Sequence, residues 1–298
     1  MGRRGVGNEE PQPEHPYVHS PFRSYPMLFV ALSGLVVGVI VCSFAVLLPL
    51  CVGTDRIRSV LTDRDRLRRR AVEVAPFVGG LAAVLLVNKG LLRRIETFSA
   101  EHGLRATETF YALEGNFVAG VQNALPEWGL YYFGPMYVFG YAVLLVFPLA
   151  AYAFADTVRP LKRLVAAYAV NYAVAIVLYA GVLAYGPRNY HRLPGADPDA
   201  AHVEEPLLDS FREVTQLTAR VNVETNVFPS LHTALSVTVL LIAVSTHDEF
   251  PRWTPVATVL AGSIVLATMY LGIHWGVDVV AGTLLAVGSV AVGDRIVR

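Results

Sequence analysis

Two histidines and one aspartate fall where an otherwise apolar chain turns briefly polar: His232 in "FPSLH" at 228–232, and His274 and Asp278 in "YLGIHWGVD" at 270–278. His274 and Asp278 are four residues apart, so a helix beginning here stacks them on one face, about 6 Å apart at Cβ. A carboxylate in that place holds an imidazole by its Nδ1 hydrogen, stabilises the imidazolium and leaves Nε2 as nucleophile or base. A hydrogen bond that merely closes a tight turn would use the same pair. His232 supplies a second imidazole 42 residues earlier, after a step with helix-start chemistry. Pro229 suits a first helical position or its approach, and Ser230 caps free amides. A helix N-terminus, with unpaired N–H groups and a positive dipole end, is a phosphate seat. Arg188, in "YGPRNYH" at 185–191, adds a guanidinium able to clamp phosphate oxygens bidentately. Arg192, Arg212 and Arg220 are lesser candidates, with Arg220 closest in sequence to the FPSLH step. Each residue alone has an ordinary reading as an N-cap, an interfacial histidine or an anchor. Their grouping on one side of a membrane favours a site.

That grouping depends on the elements that carry them. The chain has 298 residues, 54% apolar and 16% charged, against about 25% charged in soluble domains. Runs long enough to cross a hydrocarbon core, about 20 helical residues, lie at 27–52, 73–92, 130–155, 163–185, 229–246, 254–273 and 276–294. The expected fold is an all-α transmembrane bundle of about seven spans. A polar, proline-rich leader over 1–26 is expected to be disordered. Residues 27–129 are read as a membrane hairpin plus an interfacial helix, and 130–298 as the membrane core. The helix at 107–125 sets Phe110, Leu113, Phe117, Val118, Val121 and Leu125 opposite Glu108, Asn116, Gln122 and Asn123; it is expected to pack against the bundle. Cys42 and Cys51 share the first helix at a spacing of about 13 Å, beyond disulfide reach.

Lys plus Arg equals Asp plus Glu, 24 each, so only the distribution of charge is informative, and no nucleic-acid partner is expected. The loop "TDRIRSVLTDRDRLRRR" holds seven arginines and belongs on the cytoplasmic side. Counting spans from it also puts 156–163, 247–253 and the C-terminal arginines inside. The three candidate motifs then share the extracytoplasmic side with 93–129 and the long loop 186–227, which is expected to form a lid or short helix near the site.

The motif residues resemble those of the type 2 phosphatidic acid phosphatase superfamily, lipid phosphatases and related phosphotransferases. "PSLH" at 229–232 is similar to its PSGH-like second motif, and "ATMYLGIHWGVD" at 267–278 to its third, of form SR-x5-H-x3-D. The resemblance implies His274 as phosphoryl-accepting nucleophile, Asp278 as its orienting partner, His232 as general acid, and Ser230 at the phosphate, where Arg188 and Arg220 are the candidate arginines. It implies a lipid-phosphate substrate and neither cofactor nor metal. Ala267-Thr268 stand where the family has Ser-Arg, Leu231 replaces the motif glycine, Pro187 precedes Arg188, and Gly181 stands where the first motif has Lys. These departures resemble the inositol-phosphoryl-transferase branch, in which a lipid hydroxyl replaces water. Two rivals stand beside phosphoryl transfer: a zinc site of His232, His274 and Asp278, and a transporter or lipid-phosphate-binding protein without chemistry.

Overall fold

A computed structural model of the chain describes residues 26–206 and 225–298. Helices α1 (Pro26–Cys51), α2 (Thr54–Thr62) and α3 (Arg64–His102) lead to strand β1 (Leu104–Arg105) and two short helices, α4 (Thr107–Glu114) and α5 (Phe117–Ala124). The third crossing, Glu127–Ala153, runs through a 3-10 turn, α6 (Leu130–Pro135), a five-residue π-turn (Met136–Gly140) and α7 (Tyr141–Ala153). Then come α8 (Arg159–Gly181), β2 (Val182–Leu183), a 3-10 turn (Pro187–Arg192), α9 (Leu231–Ser245), α10 (Trp253–Tyr270) and α11 (Gly276–Ile296).

Among the described residues, six helices are long and apolar enough to cross a membrane, and the chain is an integral membrane protein with an all-helical architecture. The expected fifth span, 229–246, is the 15-residue α9, about 22 Å long against a hydrocarbon core of about 30 Å. Its start is delayed because Ser230 serves as the N-cap, its hydroxyl accepting the Thr233 N–H at 3.3 Å. His232 therefore sits in the first turn of a short helix, recessed into the bundle. Conversely, α3 has 39 residues, about 58 Å, so its arginine-rich start projects beyond the apolar layer.

Apolar side chains of α7, α8, α9 and α10 form the main core, around Phe147, Leu164, Leu235, Ile242, Trp253 and Ile264. Polar links cross it, among them Asn171 Nδ2 of α8, which donates to Thr238 Oγ1 of α9 at 2.9 Å, pairing two buried groups where no water could do so. In contrast α1 and α3 bury little of their surface, and their apolar faces meet lipid.

The basic segments meet at one end. Arg56 pairs with Glu249 at 2.9 Å and Asp156 at 3.3 Å, Arg70 donates to the Ala153 and Asp156 carbonyls, and Lys162 pairs with Glu73 at 3.0 Å. Arg163 binds Asp294, and Arg252 donates to the Leu50 carbonyl at 3.1 Å. The arginine loop is thus also structural, with Arg56 and Arg70 tying three inter-helix segments together.

At the opposite end the backbone itself does the tying. Strands β1 and β2 pair in parallel, Leu104 with Val182 and Arg105 with Leu183. The Ala106 N–H extends the pairing to the Leu183 carbonyl at 3.0 Å, Thr107 Oγ1 accepts the Tyr185 N–H at 3.0 Å, and Ala184 bridges to Asn226. The exits of α3 and α8 and the approach to α9 are therefore held side by side. The expected single helix over 107–125 is instead two, because Gly115 at φ 54 takes a left-handed conformation that ends α4. Phe110 and Val118 pack into the bundle, whereas Leu113 and Phe117 stay exposed.

Candidate active site

The three motifs converge at this end. Arg188 enters from the 3-10 turn after β2, where its N–H donates to the Gly272 carbonyl at 3.1 Å. Gly272 has φ +64, and a Cβ on it would stand 3.0 Å from Arg188 Cβ. Gly186 is tighter still: a Cβ there would lie 2.4 Å from the Ile273 carbonyl oxygen. Two glycines thus let the Arg188 turn lie directly on the His274 turn. Gly186→Ala is expected to lower stability by about 1–3 kcal/mol through overpacking, while Gly181→Ala, with no atom within 4 Å of its added Cβ, leaves it unchanged. Thermal unfolding of both variants in one detergent checks this, and equal midpoints would contradict the packing argument.

His274 is held by its own backbone. The N–H groups of Ile273 and His274 both donate to the Thr268 carbonyl, at 2.9 and 3.1 Å. Ala267 and Thr268, at the positions where the resembling family carries Ser-Arg, are buried completely; they pack the core and fold the turn rather than face the site. Helix α11 starts only at Gly276, so His274 and Asp278 do not stack on one helical face. The aspartate reaches back across the first turn instead. Its Oδ2 accepts the Trp275 N–H at 2.8 Å and lies 3.5 Å from His274 Nδ1, which makes no hydrogen bond among the described residues.

His274 and Asp278 are buried, and the other carboxylate oxygen, Asp278 Oδ1, has no partner among the described residues. Burial is the main cause that pushes the His274 imidazole below its ordinary titration range; the Val227 carbonyl opposes this and the Arg188 charge adds to it.

His232 faces His274 across 6.1 Å between ring centroids, close enough for one phosphoryl group to bridge them. Ser230 is fully buried beneath this gap, its N–H donating to the Asp278 carbonyl at 3.1 Å, which joins the starts of α9 and α11. Among the described residues no acceptor meets the Leu231 and His232 amides, and these amides at the positive end of α9 suit an anion. The three zinc-ligand candidates do not converge on one point, since Asp278 stands behind His274 at Nδ1. Among the described residues no group of three His, Cys, Asp or Glu side chains is arranged to hold a metal ion.

Arg188 lies 4.0 Å from Glu205 through Nε, and Arg192 binds the same carboxylate. Glu205 thus pairs with both guanidiniums. Arg212 and Arg220 fall outside the described residues.

Two residues beside His232 had no signal in the sequence. Tyr137 and Tyr141 pack their rings on its imidazole, at 4.7 and 4.6 Å between centroids. The π-turn aims them, placing both rings on the α9 side of one crossing, and such turns recur at functional sites. Gln122 of α5, on the polar face of the 107–125 segment, acts further out: its Nε2 donates to the Tyr270 carbonyl at 2.8 Å and its Oε1 accepts the Glu204 N–H at 3.0 Å, pinning the loop that carries Glu205.

Residues 116–292 match a family model described as the PAP2 superfamily. No curated protein and no solved structure matches the chain.

Proposed function

This chain belongs to the PAP2 superfamily, and from that premise we propose that it is a membrane phosphatase acting on a lipid phosphate through a phosphohistidine on His274. The observation that carries this reading is the line Asp278–His274–gap–His232, with the start of α9 tied to Asp278 through the Ser230 N–H and the Arg188 charge acting on His274. In the first step His274 Nε2 forms a bond to phosphorus as the ester P–O bond breaks, and His232 gives its proton to the departing alcohol oxygen. Asp278 holds the Nδ1 proton and offsets the positive charge that grows on the ring. Arg188, Ser230 and the α9 amides neutralise the equatorial oxygens, the main demand of phosphoryl transfer. In the second step water forms the new P–O bond, the N–P bond breaks, and the water proton passes to His232, the reverse of its first role.

A second reading replaces water by a lipid or polyol hydroxyl. It is favoured by the Tyr137 and Tyr141 rings against His232, since aromatic faces suit the carbon skeleton of an alcohol at the position where the acceptor oxygen must arrive. The positive-inside rule, applied to the arginine-rich end, supports a site on the extracytoplasmic side of the cell membrane.

One experiment tests these assignments together. Lipid phosphates are supplied from outside to intact cells expressing the protein, and to purified protein, with and without an added alcohol, and both free phosphate and transferred headgroup are scored. Free phosphate without alcohol is the expected result. Headgroup transfer alone selects the second reading, and tight binding with neither product selects a non-catalytic binding or transport protein. Turnover by purified protein but not by intact cells would overturn the sidedness.

A further inference from the structure

Glu114, the last residue of α4, sends its carboxylate to the N-terminus of α11. Its Oε2 accepts the Gly276 N–H at 2.7 Å and its Oε1 the Val277 N–H at 2.8 Å. These are two of the amides that a helix start leaves without intrahelical partners, and the carboxylate also meets the positive end of the dipole. Gly276 makes the approach possible: a Cβ there would stand 3.0 Å from Glu114 Oε2 and 3.1 Å from the Phe117 ring. The capped turn joins His274, two residues before Gly276, to Asp278, two residues after it. Asp278 takes the third amide of the same turn, that of Trp275.

A single carboxylate, 162 residues away in sequence, therefore fixes the turn on which the imidazole and its orienting partner both ride. Glu114 also precedes the stretch that matches the family, which begins at residue 116. By occupying the α11 amides it keeps phosphate off that helix end and leaves the α9 amides as the anion seat.

We propose that Glu114 is a positioning residue for phosphoryl transfer, coupling the interfacial helix α4 to the His274–Asp278 pair; this rests on the proposed role of His274. It touches no reacting atom, so its loss should slow the chemical step and leave substrate binding in place. A misplacement of about 1 Å at a reacting group costs on the order of 100-fold.

The test uses the full chain in nanodiscs, with dioleoyl phosphatidic acid as probe. Glu114→Ala is expected to slow phosphohistidine formation in a single turnover by about 10–100-fold, with KM changed by less than about 2-fold. Glu114→Gln, which keeps one acceptor oxygen for one of the two amides, should fall between it and the wild type. Hydrogen exchange at Gly276 and Val277 should quicken in the alanine variant. Where Glu114→Ala does not accumulate as folded protein, Glu114→Gln carries the rate measurement.

A wild-type rate in Glu114→Ala would overturn the inference. So would equal losses in the alanine and glutamine variants that track a general fall in melting temperature. Unprotected Gly276 and Val277 amides in the wild type would overturn it as well, because the positioning acts through that cap. A wild-type protein that forms no phosphohistidine would instead remove the reading beneath it.

Discussion

His274→Ala is expected to abolish turnover and the phosphoenzyme together, with a loss on the order of 10³-fold or more, as when the nucleophile of a covalent mechanism is deleted. The expectation follows from where the ring sits. It is buried at the foot of the gap, backed by Asp278 at 3.5 Å and fixed through its own N–H to the Thr268 carbonyl. No other described imidazole occupies that position, because His232 faces it from across the gap with its ring packed on two tyrosines. Rapid quenching with a radiolabelled lipid phosphate reads the intermediate, since a phosphohistidine is stable in alkali and lost in acid. The wild type should show label with that stability, and His274→Ala none. Label that survives in His274→Ala would move the nucleophile elsewhere. Phosphate release at the wild-type rate from a folded His274→Ala protein would remove covalent catalysis altogether. The variant is also expected to fold, because its helix and turn contacts are made by backbone groups, so loss of function should separate from loss of structure on a melting curve.

Most of the bundle was legible because a membrane imposes length and apolarity on each crossing: six of the seven apolar runs correspond to helices long enough to cross among the described residues, and the seventh, 229–246, to the shorter α9. The start of α9 was misjudged by two residues for a physical reason. The two residues are Pro229, which belongs to the approach, and Ser230, which is the N-cap rather than the first helical residue. His274 and Asp278 were legible as a pair while their geometry was not: spacing of four suggests a helical face, whereas the helix begins between them. The break at Gly115 was equally hidden, because hydrophobic periodicity runs through it undisturbed. Glu114, Tyr137 and Tyr141 reach the site only through tertiary packing. No local pattern marks a carboxylate that caps a helix 162 residues later, and a π-turn shifts side-chain direction without a composition of its own. The charge pattern, by contrast, carried more than orientation, since Arg56 and Arg70 of the arginine loop tie the ends of three crossings together.

His232→Asn should produce a different defect from His274→Ala, and the difference tests the division of labour between the two rings. Asparagine removes the proton donor while leaving a polar side chain between Tyr137 and Tyr141. With an alkyl phosphate, whose leaving oxygen must be protonated as the ester bond breaks, turnover is expected to fall by about 10²–10⁴-fold, the usual contribution of a general acid. With an aryl phosphate such as p-nitrophenyl phosphate the leaving oxygen is stable as an anion, so the first step should recover much of its rate. The second step gains nothing from that substitution, because the attacking water still needs a base. The variant is therefore expected to accumulate phosphohistidine from the aryl substrate, seen as a burst of nitrophenol approaching one equivalent followed by slow release of phosphate. An equal loss with both substrates and no burst would show that His232 acts in binding rather than in proton transfer, and its role in the gap would pass to the hydroxyl and amide donors around Ser230.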